Sequence, residues 1–134
     1  MPDFEQPYLI TFKQHGKTSW GYIAVAENYT LPFEIKRVYW TYATPETIIR
    51  GRHAHHQLKQ ILIAAAGSVI VKTEMPGNIT KEFILNNPNT GVYIPATCWH
   101  TMTYTTGAVQ IALANMEYIE ADYIHDYEKF KNIK

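Results

Sequence analysis

Along most of this chain apolar and polar side chains alternate in short runs, the period of a strand whose two faces meet different surroundings. Runs rich in Tyr, Val, Ile and Thr span Tyr8 to Lys13, Gly21 to Ala26, Phe33 to Ala43, Gln60 to Ala65, Ser68 to Thr73, Ile79 to Leu85, Gly91 to Ile94 and Ala108 to Ala114. Turn signals separate them, among them His15-Gly16-Lys17, Ala66-Gly67-Ser68, Pro76-Gly77-Asn78 and Thr105-Thr106-Gly107. Many short strands at even spacing predict an all-β barrel or sandwich. The tail reads differently. Over Glu117 to Lys134, Tyr118, Ala121, Tyr123 or Ile124, and Tyr127 or Phe130 fall near helical spacing. Lys129, Lys131 and Lys134 stand late in that stretch, where they suit the C-terminal end of a helix dipole. No repeat, low-complexity segment or linker interrupts the chain, so residues 1–134 are expected to form a single domain.

Two segments carry chemistry on this scaffold. Arg50 to Gly67 reads RGRHAHHQLKQILIAAAG, in which His53 and His55 are two apart and would share one face of a strand. Gln60 and Gly67 follow at the spacing of the first motif of a cupin β-barrel, where a Glu usually stands in place of Gln60. Gly91 to His100 reads GVYIPATCWH, and the interval from Pro95 to His100 matches the second cupin motif, with Thr97 where glycine is usual. Together these segments imply a cupin-type antiparallel β-barrel or jelly roll with a short C-terminal helix. His53, His55, Gln60 and His100 would gather at one barrel mouth.

Charge separates the chemistries such a site could support. Lys plus Arg and Asp plus Glu are 12 each, which gives no support to a nucleic-acid or membrane-surface role. Locally the balance differs. No Asp or Glu lies between Glu46 and Glu74, while Arg50, Arg52, Lys59 and Lys72 do, so the histidine segment suits an anionic ligand. Three imidazoles could hold zinc, iron, nickel or copper, but the carboxylate of mixed sites is missing and nearby arginines would repel a cation. No metal and no cofactor are therefore expected. Free imidazoles titrate near neutrality and suit removal of a proton from a carbon beside a carbonyl. Cys98 is the sole cysteine, which excludes an intrachain disulfide and favours a reducing compartment. With 46% hydrophobic residues and no apolar run of membrane-spanning length, a cytoplasmic location is expected.

The runs RVYWTYATPETIIRGRHAHHQLKQILIAAAGSV, NPNTGVYIPATCWHTM and EADYIHDYEKF, occurring in that order, resemble the sugar-nucleotide 3,4-ketoisomerases, small cupins that act on dTDP-4-keto-6-deoxyglucose. The resemblance spans about Lys36 to Phe130 and includes the Ser19-Trp20-Gly21 turn. It implies a metal-independent isomerase that moves the ketone from C4 to C3 through an enediol. The product would supply 3-amino-3,6-dideoxyhexose synthesis for lipopolysaccharide and other surface glycans. It also implies a homodimer, with exchange of N-terminal strands as one form.

For such a reaction His55 is the expected base at C3, and His53 the donor to a sugar oxygen or a relay. Tyr39 is expected to hydrogen-bond a hydroxyl or carry a proton, and His100 to face the other side of the sugar. Arg50 is the first candidate for the diphosphate, provided Gly51 forms a bulge that turns it to the histidine face, with Arg37 second. Gln60 is expected to bond a substrate hydroxyl or orient an imidazole. Trp20 would stack on sugar or base, while Asp122 and Tyr123 are the thymine and ribose candidates, Tyr123 having helix packing as its alternative. Two other readings stay open: a metal-dependent cupin oxygenase and a non-catalytic sugar-nucleotide-binding cupin. The C4 configuration of the product, gluco or galacto, is also open, with His100 inclining it to galacto.

Overall fold

Alternation becomes two facing sheets. The structure, a computed structural model, describes Asp3 and residues 5–133. Strands run over β1 (Tyr8–Thr11), β2 (Lys13–Lys17), β3 (Gly21–Val25), β4 (Arg37–Tyr42), β5 (Arg50–His55), β6 (Gln60–Ala66), β7 (Val69–Met75), β8 (Ile79–Leu85), β9 (Thr90–Ile94), β10 (Trp99–Tyr104), β11 (Val109–Ala114) and β12 (Tyr123–Ile124). One α-helix among the described residues, α1 (Tyr127–Lys131), follows. The first sheet has the order β1-β9-β6-β11-β4 and the second β12-β5-β10-β7-β8, with β2 and β3 forming a separate hairpin. All pairings are antiparallel, so the all-β barrel architecture read from the sequence is present.

The inward residues of both sheets make the core. Leu62, Val69, Val71, Leu85, Val92 and Ala112 are wholly buried there, and Met102 and Tyr104 join them. A second apolar layer covers the outer face of the first sheet, where Leu31, Phe33 and Ile35 pack onto Ile61, Tyr93 and Leu113. That packing explains a boundary. Phe33 to Lys36 reads as strand, yet those side chains are used to cover a sheet rather than extend it, and β4 begins at Arg37.

The tail departs most from its helical reading. Only Tyr127–Lys131 is α-helix; Glu120–Asp122 is a 3-10 turn, and Tyr123 and Ile124 pair with His55 and Ala54 on the edge of β5. Edge pairing satisfies backbone groups that a helix would have left exposed on β5. The Asp122 carboxylate fastens the turn by accepting from the Gln57 and Leu58 N–H groups at 2.8 and 3.1 Å. Asp126 caps α1, accepting from the N–H groups of Glu128 and Lys129. Lys134 lies outside the described residues.

Candidate active site

A single bulge builds the cavity wall. In the β5–β10 ladder His100 faces His53 and Thr101 faces Gly51, so Arg52 is an extra residue with no partner of its own. Gly51 and Arg52 both take left-handed φ values, 84° and 60°. The bulge corrects the alternation, and Arg50 therefore lies on the cavity side with His53. A Cβ on residue 51 would come 2.7 Å from the His100 carbonyl oxygen, so the position needs glycine for space as well as for φ. Thr97 stands in for another expected glycine. Its φ is 59°, and its N–H donates to the His55 carbonyl at 2.7 Å, which joins the two histidine segments.

A cavity of about 300 Å³ opens between the sheets, and of the residues named from sequence it is lined by Arg37, Tyr39, Arg50, His53, His100 and Tyr123. Thr41, Gln110 and Tyr118 also line it and were missed. The first two are inward positions of strands whose faces alternation does specify; Tyr118 sits on a stretch misread as helix. His55 and Gln60 lie behind this wall. The His55 ring is 4.8 Å from His53 and 4.4 Å from Tyr123 between centroids, and only 3% of the residue is exposed. His100 is the cross-strand neighbour of His53 on the same sheet, with rings 4.9 Å apart.

Two expected contacts are not at the cavity. Asp122 spends its carboxylate on the backbone of residues 57 and 58, which makes it a fastener of the turn. Trp20 is 80% exposed at the end of the β2–β3 hairpin, with the Lys17 ammonium 3.6 Å above its ring. Within one chain it does not reach the cavity wall. A larger groove, of about 480 Å³, crosses the outside of the second sheet beside Trp99 and Tyr127. It contains no imidazole, and its Glu74 is already bonded to Lys131 and Tyr127.

Hydrogen bonds on the cavity floor have one consistent assignment. The Cys98 carbonyl can only accept, so the His100 Nδ1 lying 2.9 Å away donates to it. The neutral ring then has a bare Nε2, which accepts from the Gln60 amide Nε2 at 3.2 Å. That orientation turns Gln60 Oε1 to Tyr39, whose hydroxyl donates to it at 2.6 Å. Electrostatics agree with neutral rings. Burial, then the neighbouring His100, pushes the His53 imidazole down to about 3, with an opposing hydrogen bond to the Gly51 backbone. Burial and His53 push His55 down to about 3, and burial pushes His100 down to about 4. Burial drives the Tyr39 phenol up to about 12. At neutral pH the cavity therefore presents uncharged His53 and His100 beside the Arg37 and Arg50 guanidinium groups. Arg37 lies 5.1 Å above the Tyr39 ring, and its buried Nε has no hydrogen-bond partner.

Comparison with known proteins points the same way. The family described as "FdtA: WxcM-like, C-terminal" matches residues 5–134. The TDP-4-oxo-6-deoxy-alpha-D-glucose-3,4-oxoisomerase of Aneurinibacillus thermoaerophilus is 38% identical over 124 residues, covering 92% of this chain and 88% of that protein. The chain belongs to the WxcM-like FdtA family. Its fold is similar to that of a mutant of the 3,4-ketoisomerase QdtA from Thermoanaerobacterium thermosaccharolyticum, solved in complex with TDP-4-keto-6-deoxyglucose. The TM-score is 0.88 at 35% identity, over 94% of this chain and 91% of that one. WlaRA, a TDP-fucose-3,4-ketoisomerase from Campylobacter jejuni, gives a TM-score of 0.86 at 31% identity over 93% of each chain.

In this WxcM-like chain the donor set does not favour a metal. One nitrogen from each of His53, His55 and His100 falls within 4.8 Å of the others, a spacing that a first-row ion could draw together. Yet His100 Nδ1 carries a proton to Cys98, and the Gln60 N–H fills the Nε2 lone pair. Two free imidazoles and no carboxylate remain, short of the three protein ligands typical of a catalytic zinc site.

Proposed function

We propose that this protein is a sugar 3,4-ketoisomerase that converts TDP-4-keto-6-deoxyglucose to a TDP-3-keto-6-deoxyhexose without a metal. The observation that carries the reading is a neutral imidazole, His53, on the wall of a cavity that also presents Arg37 and Arg50, in a chain of this family. The guanidinium groups suit the diphosphate, and the unpaired Arg37 Nε is a donor in need of an acceptor.

In this reading His53 removes the C3 proton, which the C4 ketone acidifies. The electrons form an enediolate; the O3 hydroxyl proton passes to O4, and a proton returns to carbon at C4. The base is His53 rather than His55, because the former lines the cavity and the latter lies behind it. His55 buttresses His53 and Tyr123. Incubation with TDP-4-keto-6-deoxyglucose in deuterated water, followed by NMR, tests the reading: deuterium at C4 and a 3-keto sugar are expected. A sugar that never exchanges would instead fit a binding protein.

The protein acts as a homodimer in the cytoplasm. No helix among the described residues is long and apolar enough to cross a membrane. Val38, Trp40 and Tyr42 form an exposed row on edge strand β4, and Trp20, Tyr22 and Ile23 are exposed on the β2–β3 hairpin, which supports burial of both against a second copy. In such a dimer the hairpin could bring Trp20 to the partner's cavity. Light scattering of the purified protein tests this, a monomer at micromolar concentration being the contrary result. A 3-keto product would be aminated by a separate enzyme for surface-glycan synthesis.

A further inference from the structure

The bulge that turns Arg50 inward leaves Arg52 on the outer face of the second sheet. Alternation along β10 divides its side chains in the same way: His100, Met102 and Tyr104 are buried, while Trp99, Thr101 and Thr103 lie on the outer face. Two grooves of about 480 and 450 Å³ run over that face and share Lys72, Trp99, Thr101 and Tyr127, so they form one furrow. The histidine cavity is on the opposite side of the same strands.

Register sets the polar groups of this furrow in a row. Thr101 stands opposite Lys72 of β7 on one side and opposite Gly51 of β5 on the other, where the bulged Arg52 follows. Each cation is therefore one strand from the Thr101 hydroxyl, about 4.8 Å in backbone spacing. Among the described residues the ion pairs are His125–Glu120 and Lys131–Glu74, so neither Arg52 nor Lys72 has an ionic partner. Glu82 is the neighbour of Lys72 on its far side but forms no ion pair with it. Two such cations flanking a hydroxyl make a seat for one anionic group.

The rest of the furrow is built for a ring. Trp99 lies two residues from Thr101, about 7 Å along the strand. It packs against α1, with its ring 5.1 Å from Tyr127 and 5.6 Å from Phe130, which makes it a fixed apolar platform. Thr101 and Thr103 line the same stretch with hydroxyls, which both donate and accept, as sugar hydroxyls do. We propose that the outer face of the second sheet binds an acidic saccharide, a pyranose carrying phosphate or carboxylate. Its ring stacks on Trp99, and its anion sits over Thr101 between Arg52 and Lys72. This site is separate from the histidine cavity and does not rest on the ketoisomerase reading. Free sugar phosphates and the uronate residues of a glycan share the chemistry.

Indole N–H NMR of 15N-labelled protein tests the site, because the chain has three tryptophans and Trp99 is the one that lines the furrow. Trp20→Phe and Trp40→Phe, both at exposed positions, assign its resonance by elimination. Titration with glucose 1-phosphate, and separately with trigalacturonate, should shift that resonance saturably, and the tighter ligand identifies the source. Arg52→Asn keeps a residue suited to the left-handed backbone and should weaken binding by at least about tenfold. Arg50→Ala, on the cavity side, should leave it unchanged. A Trp99 resonance that neither ligand moves overturns the site. An equal response to glucose would dispense with the anion, and an equal response to inorganic phosphate with the ring; either overturns the proposal. Binding lost in Arg50→Ala but kept in Arg52→Asn would return the ligand to the cavity and overturn it as well.

Discussion

The mouth and the floor of this cavity use the same side chain for different ends. At the mouth His53 is half-buried beside Arg37 and Arg50; on the floor His100 is sealed between Gln60 and a backbone carbonyl. Their rings are 4.9 Å apart and both are neutral at pH 7. In the proposed reaction, what separates a base from a brace is access and bonding, since residue type and charge state are shared. An imidazole can take a proton only if one nitrogen is bare and faces the substrate.

The strongest way to break this comparison is to remove each ring in turn. His53→Asn should lower kcat by about a thousandfold, in the range of a lost general base. His100→Asn should cost about tenfold, through displacement of Gln60 and Tyr39. Steady-state kinetics that reversed the two magnitudes would exchange their roles. Next come the cations: Arg37→Ala or Arg50→Ala should weaken TDP binding by about ten- to a hundredfold, as expected for loss of a charge-assisted hydrogen bond. Calorimetry reads this directly, and an unchanged affinity would place the diphosphate elsewhere.

Acid supplies a further test, and its sign follows from the depressed histidines. Unfolded His53, His55 and His100 would bind protons as pH falls below about 6.5, whereas the folded rings resist protonation until about 3 to 4. The unfolded state then binds more protons, so stability is full above 6.5 and is lost as pH falls through that window. Denaturant unfolding at pH 7.5, 6 and 5 should show the decline, and His55→Asn should flatten it; a pH-independent midpoint would mean that the folded rings take up protons over the same pH range as the unfolded ones. The smallest expected effect lies at the bulge. Gly51→Ala should cost about 1–2 kcal/mol for its left-handed φ alone, with more from its approach to His100, read as a lowered denaturation midpoint.

Much of this was legible before any coordinates. Period-two alternation marks most of the strands, and the His-x-His spacing correctly puts both rings on one face. Gly51 is informative because alternation alone would have turned Arg50 outward, and the observed bulge resolves that conflict. Other features need tertiary structure. Trp99–Tyr104 alternates cleanly, with His100, Met102 and Tyr104 inward, but its threonines and single histidine resemble a loop until the partner strands are known. The tail was misread because Tyr118, Tyr123 and Tyr127 fit helical spacing, while the competing interaction, pairing with the edge of β5, is long-range. Depth is also not legible in the sequence: strand periodicity gives His53 and His55 a common face, and only the fold shows that His53 lines the cavity while His55 lies behind it.

The central claim is that a neutral His53 moves a proton from C3 toward C4 of a TDP-4-keto-6-deoxy sugar. The direct measurement is NMR of TDP-4-keto-6-deoxyglucose in deuterated water with the native protein and with His53→Asn, with TDP affinity measured in parallel. The account predicts C4 deuteration and a 3-keto sugar with the native protein, and neither with His53→Asn despite retained TDP binding. Full exchange by His53→Asn, or none by the native protein, would contradict it.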